Sequence, residues 1–312
     1  MCRNAAIGFL SATLLATLGL QPGLRSAPAQ AASSTVDSPA APPTQQELQA
    51  RGLELVANQH KNDDALDHFE RIEHESDTTG GTNPRVLVEK KTRLVPNGAG
   101  TTKLLLEENG HPVTSEEYQR ELQNWLDVLH FMVNPDDDRM KSATAKYAKR
   151  KQARNELVGA LLTAFTRKWV GRETVDGHDC DVIELTPDPN FHPRSIFESA
   201  LPHAKAKIWV DHNAVQLVRA RAQITSDVWV GGGVLGKLYK GGVFEMDQGQ
   251  VAPGVWLPTR YQFDFSGRRF LFSFEEHQSI GASQYRYIGT VKDALAEAQT
   301  ELSTGKPLPG DP

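Results

Sequence analysis

The stretch Gly171–Pro187 reads GRETVDGHDCDVIELTP. Asp176-Gly177 is a dipeptide suited to a two-residue turn, because Gly and Asp tolerate the left-handed backbone that such a turn needs. The residues on either side read as strands, so the segment is an antiparallel hairpin. The same reading extends outward. Asp211-His212-Asn213 turns Lys205–Val210 into Val215–Ile224, and Ser266-Gly267 is expected to join Tyr261–Phe265 to Arg269–Phe274. Tyr261, Phe263 and Phe265 alternate, as do Phe270, Phe272 and Phe274, so one face of each strand is aromatic. From Arg167 to Tyr287 the chain reads as nearly all β, and 13 of its 23 aromatic residues fall between Trp209 and Tyr287.

Upstream, Thr44 to His60 reads as a helix with Thr44 and Glu47 as a capping box. Arg85–Val95 and Thr101–Glu108 flank Pro96-Asn97-Gly98-Ala99-Gly100 as a second hairpin, ended by Asn109-Gly110. A helical insertion over 114–165 follows. Thr114 and Glu117 form its cap, and Tyr118, Leu122, Trp125, Leu129 and Met132 make an apolar stripe. Asn134-Pro135 breaks it, and Asp136–Asp138 open a second helix running to Phe165. The middle of that helix, Lys146–Glu156, is polar nearly all round. After Thr290, Leu295 sits in a short helix, and 306–312 is a tail. These elements add up to an α+β chain: a half-open antiparallel β-barrel of about ten strands, with helices packed on or in it and a long helical insertion.

The address is written in the first residues. Arg3 gives a positive n-region, Ala5–Leu20 an apolar h-region, and Ala29-Gln30-Ala31 a cleavage site. Residues 1–31 are therefore a signal peptide cleaved after Ala31, followed by a flexible leader over 32–43 rich in Ala, Ser and Pro. A main domain over 44–290 and a terminal helix and tail over 291–312 complete the division. Cleavage leaves Cys180 as the one cysteine, which cannot form an internal disulfide. No later segment is apolar enough to span a bilayer, so the mature chain is expected to be periplasmic with no transmembrane span. A formal charge of −5 argues against nucleic acid as a partner.

The strands Gly171–Pro187, Ala206-Lys207-Ile208-Trp209-Val210-Asp211 and Gly254-Val255-Trp256-Leu257-Pro258-Thr259 follow one another in an order that resembles the LolA/LolB-like superfamily of exported lipoprotein-sorting proteins. The resemblance covers roughly residues 44–290. It implies a half-open barrel with a helical lid and an apolar cavity, which in the lipoprotein carriers holds acyl chains. The charged helical insertion over 114–165 departs from those carriers.

Chemistry-bearing patterns are few. Gly231–Leu238 satisfies both G-x-G-x-x-G and G-x-x-x-x-G-K, but Leu238 replaces the Mg²⁺-binding hydroxyl and no helix follows. It reads as a glycine-rich strand connection or cavity rim. His178 and Cys180 share a strand face without a second ligand pair, so no metal is expected. No nucleophile motif stands out, no catalytic residue is assigned and no cofactor is expected. The basic run Arg139, Lys141, Lys146, Lys149, Arg150, Lys151 and Arg154 reads as a solvated helix face. The aromatic strands remain. Trp209, Phe244, Trp256, Phe263, Phe265, Phe270, Phe272 and Phe274 are the candidates to line an apolar cavity. The first functional reading is an exported lipid- or lipoprotein-binding protein that shelters an acyl chain. The second is an envelope protein-interaction or sensing module whose insertion meets a protein partner. The third is an enzyme with a site built from distant residues.

Overall fold

The computed structural model describes residues 42–305, except 82, 231, 232, 234 and 271. The signal segment 1–31, most of the leader and the tail from Lys306 lie outside the described residues. The elements in chain order are α1 (Gln45–Leu66), β1 (Phe69–Thr78), β2 (Val86–Pro96), β3 (Thr101–Glu108), β4 (His111–Pro112), α2 (Ser115–Met132) and α3 (Asp138–Ala164). Then come β5 (Phe165–Val175), β6 (His178–Pro187), a 3-10 turn at Glu198–His203, β7 (Ala204–Asp211), β8 (Leu217–Ile224), β9 (Val228–Val230) and β10 (Gly236–Leu238). The chain ends with β11 (Val243–Ala252), β12 (Val255–Arg269), β13 (Phe272–Tyr287) and α4 (Val291–Thr304).

Among the described residues the strands form one antiparallel sheet of 13, in the order β4-β3-β2-β1-β13-β12-β11-β8-β7-β6-β5, with β9 and β10 attached beside β12. It stays open between β4 and β5 and does not close into a barrel. The strands beyond the ten expected are explained by β4, β9 and β10, each two or three residues long and too short to show alternation. The turns follow their chemistry. Asn109-Gly110 and Asp176-Gly177 both carry positive φ at each position, as a tight right-twisted hairpin demands. The caps at Thr44 and Thr114 form as reciprocal boxes with Glu47 and Glu117.

One expected turn is wrong. Ser266-Gly267 lies inside β12, which runs on to Arg269, and the chain reverses around Phe270 instead. Gly267 serves packing: a Cβ there would collide with the Lys237 carbonyl and the Phe274 ring. It is a glycine of close backbone approach within a strand.

Register fixes the faces, because directly paired residues lie on the same side. One row runs Ile183–Ile208–Ala220–Met246–Tyr261–Ile280–Glu75. A second runs Leu185–Ala206–Ala222–Phe244–Phe263–Gln278–Asp77. We call this the inner face, since α1 lies on it, with Leu48 packed among Ile183, Leu185 and Val210.

The opposite face of β2 and β3 carries α2 and α4. Leu122, Trp125, Leu126 and Leu129 pack with Val95, Leu104, Ile288, Ala294 and Ala298. Trp125 Nε1 donates to the Pro96 carbonyl at 3.1 Å. Beside this core Arg93 is buried on β2. It reaches Glu70 at 2.8 Å, Glu301 of α4 at 2.8 Å and the Tyr118 hydroxyl of α2 at 3.0 Å. One guanidinium thus ties two helices to the sheet. Removing a partner from such a buried pair typically costs about 3–5 kcal/mol, since a desolvated charge is left with fewer partners. Glu301→Ala should therefore lower stability by about 3 kcal/mol, read as a lower urea midpoint at unchanged slope.

Candidate ligand-binding face

The inner face divides along its rows. In these two rows the residues from β6 to β12 are apolar, and the inward residues of β1 include Glu73, Glu75 and Asp77. At the apolar centre, Phe244 and Phe263 have ring centroids 5.3 Å apart, and Tyr261 stacks on Phe263 at 6.1 Å. Tyr261, Phe263 and Ile280 are buried, whereas Phe244, Met246 and Phe265 are only half-buried. Ala206, Ile208, Ala220 and Ala222 on the adjoining strands are half-buried as well.

The incomplete cover has a cause in the helices above. In α1 only Leu48 and Asn62 are buried. Its contacts to the sheet are largely amide hydrogen bonds: Asn58 to the Val215 carbonyl at 3.1 Å, Gln59 to Gln248 at 3.0 Å, and Asn62 to Gln216 at 2.8 Å. The Trp256 N–H donates back to Asn62 at 3.1 Å. In α3, 27 residues long, only Ala164 is buried. Its polar middle is held to α1 by charge: Lys151 to Asp64 at 2.8 Å and Asp67 at 2.6 Å, and Arg154 to Asp63 at 3.0 Å. Tyr147 also donates to Asp67. Part of the basic run expected as a solvated face is therefore paired across a helix interface. Its partners, Asp63, Asp64 and Asp67, lie between 84 and 91 residues upstream and give no local signal.

The acidic half of the face has its own order. Gln278 Nε2 donates to Glu75 at 3.1 Å and Asp77 at 2.8 Å. Arg71 pairs with Glu73 at 2.6 Å, both buried. Burial pushes the Glu75 carboxyl up, against the pull of Lys103. The alternation Glu73, Glu75, Asp77 is the sequence signal that puts three carboxylates on one strand face.

The eight expected cavity residues scatter. Phe244, Phe263 and Phe265 come together on the inner face, with Phe274 further along the same side opposite Gly267. Trp209 and Trp256 belong to a separate core with Val175, Cys180, Val182 and Val218. Trp209 donates to Glu173 at 2.8 Å, and the Trp256 ring lies 4.7 Å from that of His178. Phe270 and Phe272 stand exposed at the tip of the β12–β13 hairpin, because the turn is not at Ser266-Gly267.

The other patterns resolve into structure. Cys180 is buried beside Asp211, and desolvation with that charge pushes its thiol up to about 11, so it is not a thiolate. His178 Nδ1 lies 3.1 Å from Asp211. Gly236–Leu238 form a strand, and β11 follows β10 with no helix between. Lys237 pairs with Asp227 at 2.5 Å. Residues 231, 232 and 234 of that loop lie outside the described residues. Asp181 anchors the start of α1. It accepts from His212 at 2.7 Å and Trp169 at 3.0 Å, and Arg51 of α1 lies 3.2 Å away. Burial would raise its carboxyl, but these bonds and charges outweigh that and hold it below the ordinary value.

No family model matches this sequence, and no curated protein matches it. Among solved structures, the chain is similar to an outer membrane lipoprotein-sorting protein domain from Vibrio parahaemolyticus at 10% identity and TM-score 0.33, covering 80% of this chain and 97% of the other. It is similar to a LolA superfamily protein from Nitrosomonas europaea at 10% identity and TM-score 0.33, covering 77% and 94%. A DUF1329 family protein from Desulfovibrio piger matches at 13% identity and TM-score 0.29, covering 76% and 92%. Likeness at this level says nothing of what this chain binds.

Two measurements probe this face. Phe263→Ala empties a buried site and should cost about 3–5 kcal/mol, whereas Phe272→Ala at the exposed tip should stay within about ±0.5 kcal/mol, both read by urea unfolding. Asp181 has a folded value below its unfolded one of about 3.9, so its contribution is complete above that value and drains as pH falls through the folded one. Asp181→Asn should therefore be less stable than wild type at neutral pH and lose less stability between about pH 5 and 2.

Proposed function

We propose that this chain is an exported envelope protein that shelters an acyl chain, of a lipid or a lipoprotein, against the apolar half of its inner face. One observation carries the reading. Phe244, Met246 and Phe265 are left half-buried on the face where α1 lies, and α3, which buries a single residue, is held to α1 by ion pairs. Ion pairs across a partly wet interface are worth little each, so α3 can shift at low cost. Apolar area left open in this way gains when an acyl chain covers it, by ~0.8 kcal/mol for each CH₂ removed from water. The superfamily resemblance of Gly171–Pro187 and its following strands supports the same class of cargo, and the signal segment supports a periplasmic address. Among the described residues no helix is long and apolar enough to cross a membrane.

A second reading has its own observation. Between α2, α3 and the β2–β3 loop lies a groove of about 640 Å³, lined by Phe131, Met132 and Val128 together with Arg139, Lys146 and Arg150, which outnumber Asp138 beside them. That surface suits an acidic, amphipathic segment of a protein partner in the envelope.

Delipidated protein titrated with a fluorescent fatty acid separates the two. Met246→Glu puts a charge among the inner apolar side chains, and binding should weaken at least tenfold, about 1.4 kcal/mol or more. Wild-type protein that binds no fatty acid and yields no lipid in native mass spectrometry would leave the partner groove as the better reading.

A further inference from the structure

The hairpin tip that the fold displaced from the inner face has a composition of its own. Phe272 is 78% exposed, Phe270 and Trp229 are each 55% exposed, and Leu235 is 44% exposed. They are neighbours at one end of the sheet. Lys237 pairs in register with both Trp229 and Arg268, and the Phe270 N–H donates to the Leu235 carbonyl at 3.3 Å. Phe270 holds a φ of +49°, a left-handed conformation that is strained for a bulky side chain. Large apolar side chains gathered at a projecting edge mark a contact surface rather than a stray exposure.

Charge says what kind of surface it meets. The chain as a whole carries a formal −5. This end carries Lys237, Lys240, Arg268 and Arg269, with Asp227, just before β9, paired to Lys237. The first acid along the hairpin is Glu275, two pairs below Arg268, beside Ser266 and 3.9 Å from His277. Lys237 Nζ sits 4.3 Å over the Trp229 ring and 5.4 Å over that of Tyr239, so cation and aromatic rings form one layer. Exposed aromatics bordered by Lys and Arg match a bilayer interface, where rings enter the acyl boundary and cations meet anionic headgroups.

We propose that the β12–β13 tip, with β9 and β10 beside it, docks on an anionic lipid bilayer. Phe270, Phe272, Trp229 and Leu235 enter the interface, and Lys240, Arg268 and Arg269 lie against phosphate headgroups. The docking edge is separate from the inner apolar face and holds whether or not that face carries a lipid.

The test is co-sedimentation of the full mature chain with phosphatidylcholine vesicles, with or without phosphatidylglycerol. Binding should require phosphatidylglycerol and weaken as salt is added, because headgroup attraction is screened. Phe270→Ser/Phe272→Ser should reduce the bound fraction at least tenfold, and Arg268→Gln/Arg269→Gln should abolish the preference for anionic vesicles. All four positions are at least partly exposed, and thermal unfolding by circular dichroism should match wild type, which separates lost docking from lost folding. Wild-type protein left in the supernatant with both vesicle types overturns the proposal. So does a double serine variant that binds as wild type does. A concentration-dependent dimer, abolished by the serine substitutions and unaccompanied by vesicle binding, would assign the tip to a second copy of this chain and equally overturn it.

Discussion

The pairing of Lys151 and Arg154 with Asp63, Asp64 and Asp67 decides how the inner face is covered. A broad sheet with an apolar side must bury it, and the usual solution is a helix with an apolar stripe. Here α1 and α3 supply almost none. They are joined to each other by ion pairs and, through Asn58, Gln59 and Asn62, to the sheet by amide hydrogen bonds. Such contacts fix position without excluding water from the aromatic strands below. The half-covered state of Phe244, Met246 and Phe265 follows from that economy of apolar surface in the helices.

The other side of the sheet obeys the opposite rule. The helices α2 and α4 bring a continuous apolar stripe onto Val95 and Leu104, with Trp125 and Leu129 fully buried. Arg93 then fixes the register of both helices through Glu70, Glu301 and Tyr118. One end of the molecule is therefore rigidly packed while the other is held by polar contacts. Local opening free energies differ in the same direction, since few buried apolar contacts mean cheap opening.

Three features share the long hairpin β12–β13. Its base joins Arg260 and Tyr261 to Gly281 and Ile280, its middle puts Phe263 and Phe265 on the inner face, and its tip carries Phe270 and Phe272 into solvent. The aromatic alternation is one pattern, yet its two ends have different surroundings. Covering elements reach the middle and not the tip. The proposed shelter for an acyl chain and the proposed contact with a membrane therefore share one continuous element.

Much of this was legible from the residues alone. Capping boxes at Thr44 and Thr114, the stripe of α2 and the Asp176-Gly177 turn are local patterns, and local backbone chemistry decides them. Strand alternation likewise placed Tyr261, Phe263 and Phe265 on one side. What needed the tertiary structure was whatever depends on residues far apart in the chain. Ser266-Gly267 looks like a turn until the Phe274 ring and the Lys237 carbonyl show why a side chain is excluded there. Trp209 and Trp256 look like cavity residues until Cys180, Val182 and Val218 close around them. The basic residues of α3 look solvated until α1 brings acids to them. Periodicity says which side of an element a residue takes, but only the packing of distant segments determines what that side faces.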